Sequence, residues 1–203
     1  MLTEGNVDGE ADTHSAAPVA RSAWECQLFL TLADCPACGG VGLSMTEFTA
    51  GREILTYTAR CATCAQPRTF RFRPSDEPEP VYPAFGGAGP SQIIDAGQFL
   101  DIAERSADLV PADPAEFDEA HVAVDPPMTL DDAYEQLTIA VAAVEEALKF
   151  VPAGAARIPR SALWAASSLA RYDQEPEIFE RDVLDAVLAE LAQAQSAYRP
   201  VAG

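Results

Sequence analysis

The sequence predicts an α+β fold in which a short β-rich segment is followed by a longer helical segment. Two observations support this class. Residues 24–73 alternate polar and apolar side chains around two Cys-x-x-Cys pairs, as short strands and tight turns do. Residues 129–203 instead carry apolar side chains at the spacing of an α-helix. The length of 203 residues suits one ordinary domain or two small ones.

Composition divides the chain into four segments. Residues 1–22 are polar, lack an apolar period and predict a disordered tail, so that order begins near Trp24. Residues 24–73 form the β module. Residues 74–90 contain five prolines and three glycines, which predicts an extended linker. Residues 91–200 form the helical region.

Within the β module, three stretches predict strands. Alternation over 24–31 favours a first strand, and stretches 43–49 and 54–60 flank Ala50-Gly51 as a hairpin would. Aromatic and basic side chains alternate over 69–73 and predict a last strand.

The helical region predicts four helices, with spans of 91–108, 130–150, 160–171 and 176–200. Ser91 and Thr129 are the expected N-caps, because a side-chain oxygen at that position accepts a free backbone N–H. Asp131 and Asp132 complement the dipole of the second helix, and Pro176 suits a first turn.

Two apolar stripes predict which helices pack together. Their residues are Leu137, Val141, Val144 and Leu148 on one helix and Leu184, Val187, Leu188 and Leu191 on the other. We expect both stripes to be buried, because each buried Leu or Val contributes about 1.5–3 kcal/mol. The acidic residues should then face outward, namely Asp132, Glu135, Glu145, Glu146, Asp185 and Glu190.

The cysteines predict a metal site. Cys35, Cys38, Cys61 and Cys64 follow the pattern C-x2-C-x22-C-x2-C. Two intervening residues let both thiolates of a pair reach one ion, and two pairs supply a tetrahedron of sulfurs at ~2.3 Å from zinc. Because four cysteines leave no position for water, the expected role is structural, with one Zn²⁺ per chain.

Two Cys-x-x-Cys pairs can also form a redox dithiol, hold iron or occur together by chance. A redox pair usually lies at a helix start near a βαβ unit, and that context is absent from the sequence. Cys26, nine residues before Cys35, is expected to be a small buried side chain.

The motifs Cys35-Pro-Ala-Cys38-Gly39 and Cys61-Ala-Thr-Cys64 resemble those of zinc ribbons, the four-cysteine, rubredoxin-like modules. The resemblance covers residues 24–73. It implies a three-stranded antiparallel sheet with the ion held between two knuckles. Gly39 permits the positive φ that the first knuckle needs, whereas Ala65 takes that place in the second.

The charge is strongly negative and unevenly distributed. The net charge is −19, yet residues 24–73 carry five basic and four acidic side chains. Such a surface repels nucleic-acid phosphates and anionic lipid and favours a basic protein partner. No stretch approaches the ~20 apolar residues of a membrane span, and the acidic N-terminus differs from a signal peptide. A cytoplasmic protein is expected.

The sequence offers no catalytic constellation. Its two histidines are His14, in the predicted tail, and His121, in an acidic loop. The glycines of 86–89 lack the lysine and strand context of a phosphate-binding loop. No nucleophile with a suitably spaced base is evident, so we do not expect an enzyme.

One strand permits a second interpretation. Arg68, Arg71 and Arg73 alternate with Phe70 and Phe72, and such a pattern can bind nucleic acid through stacking and phosphate contacts. Plain alternation on a half-buried strand, with Phe inward and Arg outward, also accounts for the pattern and is favoured.

These observations together predict a non-enzymatic zinc-ribbon interaction protein whose acidic surface binds a basic protein. An inhibitor or immunity-type protein that masks a cationic nuclease is one concrete form. The alternative is a nucleic-acid-associated regulator that binds through the strand 68–73.

Overall fold

The computed structural model describes residues 17–111, 113–117 and 128–199, so His14, His121 and most of the predicted tail lie outside the described residues. Within them the fold is α+β. The strands are β1 (Val19–Ala20), β2 (Leu43–Ala50), β3 (Leu55–Cys61) and β4 (Pro67–Pro74), and the α-helices are α1 (Ala23–Leu32), α2 (Ala96–Ala107), α3 (Leu130–Leu148), α4 (Ala166–Gln174) and α5 (Arg181–Ala197). Single 3₁₀ turns cover Pro114–Glu116, Arg160–Ala162 and Pro176–Phe179.

The sheet is mixed and four-stranded, in the order β1-β4-β3-β2. The predicted β2–β3 hairpin is confirmed, and β4 pairs antiparallel with β3. The prediction of a three-stranded antiparallel sheet is wrong in one respect. A short β1 adds a fourth strand parallel to β4, with Val19 opposite Arg73. Regular structure therefore begins before Trp24.

The predicted first strand, 24–31, is instead the helix α1. Ser22 caps it by accepting the Glu25 N–H at 2.9 Å. Cys26 and Leu30, four residues apart, are buried on one side of the helix. Apolar residues occur at so many positions in this stretch that both a strand and a helix period fit it, and the N-cap decides between them.

Helix α2 begins later than predicted. Its N-cap is Asp95, which forms a capping box with Gln98, and Ser91 instead accepts the N–H groups of Ile93 and Ile94 in the preceding turn. Gly97 lies in the first turn of α2, where an added Cβ would come within 2.4 Å of the Ser168 hydroxyl oxygen. The close approach of α2 to α4 explains this glycine.

The predicted bounds of α3 are confirmed to within two residues, with Thr129 as N-cap. The predicted helix 160–171 is divided into a 3₁₀ turn and α4, and Pro176 opens a 3₁₀ turn rather than α5. Of the eight stripe residues, all expected to be buried, three are buried, namely Leu137, Val144 and Leu184, and four are half-buried, namely Val141, Leu148, Leu188 and Leu191. Val187 is an exception, since 37% of it remains exposed.

Asp95 joins α2 to α4. The Asp95 side chain is fully buried, and its Oδ2 accepts the Trp164 and Ala165 N–H groups at 2.8 and 2.7 Å. Its Oδ1 accepts the Ser168 hydroxyl at 2.6 Å and the Gln98 N–H at 3.0 Å. One carboxylate therefore satisfies free N–H groups at the starts of two helices.

The Pro-rich segment 74–90 packs against both halves of the protein. Phe85 is fully buried, and the Trp24 ring stacks on the Phe85 ring. The carbonyl oxygen of Phe85 accepts the Ser22 hydroxyl at 2.6 Å. Phe85 also contacts Phe99 of α2. The hydrophobic core accordingly runs without a break from the sheet to the helices.

A network of four buried or half-buried charges lies beneath this segment. Arg21 contacts Glu25 at 2.7 Å and Glu146 at 2.8 Å, and Lys149 contacts Glu146 at 2.6 Å. Glu146 Oε2 makes no hydrogen bond, so its contact with Arg21 is an ion pair without hydrogen-bond geometry. The expectation that Glu146 faces solvent is wrong, because only 2% of its side chain is exposed.

We expect Asp95→Ala to lower the free energy of unfolding by about 3 kcal/mol or more, because buried N–H groups left without an acceptor cost about 1–3 kcal/mol each. Urea unfolding followed by circular dichroism measures this change. Asp132→Ala, at the exposed capping box of α3, is the control and should cost about 1 kcal/mol. Equal losses in the two variants would contradict a special role for Asp95.

Candidate metal centre

The first knuckle is the turn of residues 35–40, which follows α1 closely. The Gly39 N–H donates to the Cys35 carbonyl at 2.7 Å, and the Cys35 N–H donates to the Gly40 carbonyl at 2.8 Å. Gly39 has φ +71°, which confirms the positive φ predicted at this position. The resulting tight turn brings Cys35 and Cys38 to one side of the loop.

The second knuckle begins at the end of β3. The Ala65 N–H donates to the Cys61 carbonyl at 2.9 Å, in the same pattern as the first turn. Ala65 has φ +58°, a conformation that costs a residue with a Cβ about 1–2 kcal/mol. The Ala62 N–H donates to the Gly42 carbonyl at 3.3 Å and joins the two loops.

The two knuckles bring four sulfurs together. The Sγ atoms of Cys35, Cys38, Cys61 and Cys64 all lie within 4.8 Å of one another. Cys35 Sγ is 3.6 Å from Cys64 Sγ, and Cys38 Sγ is 3.7 Å from Cys61 Sγ. A tetrahedron with Zn–S distances of ~2.3 Å has S···S edges of about 3.8 Å, so the spacing suits a zinc ion.

Backbone donors point at the sulfurs. The Gly40 N–H donates to Cys38 Sγ and the Thr63 N–H donates to Cys61 Sγ, each at 3.4 Å. Backbone N–H groups of Cys64 and Thr63 lower the pKa of Cys61, whereas the pKa of Cys38 is raised despite the Gly40 N–H, because its thiol hydrogen-bonds to the neighbouring thiols, so the first thiolate of the cluster forms at Cys61. Gly40 and Thr63 were not singled out from the sequence, although each lies two residues after a cysteine of the motif.

The cluster lies at the protein surface with one side covered. Cys35 and Cys61 are buried, whereas Cys38 and Cys64 are exposed. Burial of Cys35 and Cys61 ties the cluster to the core, in which both residues participate.

Cys26 lies outside the four-sulfur cluster and is fully buried. Desolvation raises its pKa to about 11, against a hydrogen bond with Tyr57 that lowers it. Its surroundings are those expected of a small core side chain.

In the alternative interpretation, Arg68, Arg71 and Arg73 contact nucleic acid together. These three arginines lie on different faces of strand β4. Phe70 and Phe72 pack edge-on against Phe29 of α1, at centroid distances of 5.1 and 5.4 Å. Arg68 shares their face of the strand, with its guanidinium 5.1 Å from the Phe70 ring centroid. Arg71 and Arg73 lie on the opposite, exposed face. These three side chains do not form one surface.

The helices of the described residues are all too short or too polar to span a bilayer. Comparison of the chain with protein-family models, with curated proteins and with solved structures finds no match.

The two knuckles provide a paired test of backbone conformation. Ala65→Gly should raise the free energy of unfolding by about 0.5–1 kcal/mol, because glycine adopts a positive φ without the Cβ penalty. Gly39→Ala should lower it by about 1 kcal/mol through conformation alone, since no atom lies within 4 Å of the added Cβ. Thermal unfolding of both variants measures the shifts, and a loss of stability in Ala65→Gly would contradict the argument.

Proposed function

We propose that this protein is a non-enzymatic, zinc-stabilised interaction protein whose acidic helical surface binds a basic protein. The four-sulfur cluster is the observation that carries the zinc half of the proposal. Four thiolates satisfy the usual coordination of Zn²⁺ and leave no position for water, which supports a structural rather than a catalytic ion.

The residues around the cluster would fix the ion in place. Cys35 follows α1, and Cys61 ends β3, so a bound zinc would connect the helix to the sheet. The N–H groups of Gly40 and Thr63 would partly offset the net charge of −2 that four thiolates and one Zn²⁺ produce.

The acidic surface supports the partner half of the proposal. Glu145, Asp185 and Glu190 are exposed, as is Glu177 beside α5. The negative potential of these carboxylates attracts a basic protein and repels nucleic acid and anionic lipid. A cytoplasmic inhibitor or immunity-type protein that covers a cationic nuclease is the concrete form we favour.

The nucleic-acid alternative has less support. Stacking requires exposed aromatic faces, yet Phe72 is buried and Phe70 packs against Phe29. Arg71 and Arg73 are exposed, but a net charge of −19 opposes phosphate contacts.

The zinc proposal predicts about one zinc per chain by elemental analysis. Cys38→Ser and Cys64→Ser should lose it, whereas Cys26→Ala should retain it. Because ligands must be deprotonated, zinc affinity should fall as the pH is lowered. A folded, metal-free protein with two disulfides in reducing buffer would end this proposal.

The partner proposal predicts salt-sensitive binding of a short Lys/Arg-rich peptide, measured by fluorescence anisotropy. Replacing both Glu145 and Glu190 with Lys should weaken binding by about tenfold and flatten its salt dependence. The matched control replaces the exposed Glu47 and Glu53 of the β2–β3 hairpin with Lys, for an identical change in net charge. Equal weakening in both variants would show that total charge, rather than the helical surface, determines binding.

A further inference from the structure

An apolar slot opens between α2 and α5, and we call it the α2–α5 slot. Six of its lining residues are Leu100, Ala103, Ala107, Leu184, Val187 and Leu191. Its volume is about 190 Å³. An apolar protein cavity of about 150 Å³ is large enough to bind benzene, so this slot can accept a Leu or Phe side chain.

The slot exists because both helices pack on α3 without closing on each other. Val144 of α3 contributes to its lining, and Ala103 and Ala107 present only methyl groups towards the space. Val187 remains 37% exposed at its edge, although the apolar stripe of α5 predicts burial. An apolar lining open to water is the feature that a binding partner would stabilise.

The rim of the slot is acidic. Glu104 and Asp108 border it and are exposed, and Asp101 lies close by on α2. Arg171 also borders it, but its guanidinium is already paired with Asp101 at 2.9 Å and with Glu104. Arg105 also lies 3.9 Å from Asp101, so three carboxylates against two arginines leave the rim with a net charge of −1, which complements a positive charge.

We propose that the α2–α5 slot receives one apolar side chain from a basic, amphipathic helix of the partner protein, whose Lys or Arg residues contact the acidic rim. This proposal rests on the proposed function and identifies its docking site. A second copy of this chain is disfavoured as the occupant, because two molecules of net charge −19 repel each other.

The test uses a labelled synthetic peptide that forms an amphipathic helix, with Leu on one face and Lys and Arg on the other. Ala107→Leu fills the slot without changing charge and should weaken binding by about tenfold or more, the equivalent of losing one buried Leu. Asp108→Asn should weaken binding by a few-fold and reduce its salt dependence. The controls are Ala189→Leu, at an exposed position of α5, and Glu47→Gln, and both should bind like the original protein.

Methyl NMR provides a second measurement that needs no variant. Adding the peptide to the unsubstituted protein should shift the methyl signals of Val187 and Leu191 and leave those of Val41 unchanged. The absence of such shifts at saturating peptide would overturn the proposal, even if Ala107→Leu failed to fold.

Three further outcomes would also overturn it. If a Lys/Arg-rich peptide without Leu binds equally well and Ala107→Leu has no effect, the slot is rejected while the proposed function stands. If neither peptide binds, both fail. If the protein self-associates and Ala107→Leu abolishes self-association, the occupant is a second copy.

Discussion

The buried guanidinium of Arg21 is the constraint on which the arrangement of the molecule depends. Only 7% of this side chain is exposed, and an unpaired charge at such a depth costs several kcal/mol. Glu25 of α1 and Glu146 of α3 neutralise it, and the Gly89 carbonyl accepts a further N–H at 2.6 Å. The first turn of α1, the end of α3 and the segment 74–90 must therefore meet at one point.

Helix α1 connects this charge network to the candidate metal centre. Glu25 lies in its first turn, and Cys35 follows its last residues by way of Ala33, whose carbonyl accepts the Gly42 N–H. A zinc ion at the knuckles would hold one end of α1 while Arg21 holds the other. The sheet module and the helices thus share a single core, and loss of the metal would affect both.

The fold could be predicted where local chemistry decides the structure. The Cys-x-x-Cys spacing identified the four clustered sulfurs, and Thr129 located the start of α3. The fold could not be predicted where the structure depends on contacts between residues far apart in sequence. Glu146 looks like a solvent-exposed helix residue until Arg21, far away in sequence, is brought beside it. The composition of 74–90 is that of a linker, and only packing against Trp24 and α2 buries Phe85.

The distribution of charge separates the candidate metal centre from the acidic segments of the chain. Residues 24–73 are nearly neutral, and their apolar side chains belong to the core that they share with the helices, so metal binding would add to the stability of both. Residues 74–203 carry a net charge of −17, of which helices α2–α5 hold −8, and repulsion between these like charges opposes compaction. Arg21 and Lys149 neutralise part of that charge where it is buried, and α1 positions Arg21. A structural zinc would hold α1 in place, and α1 positions Arg21 through Glu25. Because Arg21 neutralises the buried Glu146 of α3, the zinc would also stabilise the acidic helices indirectly.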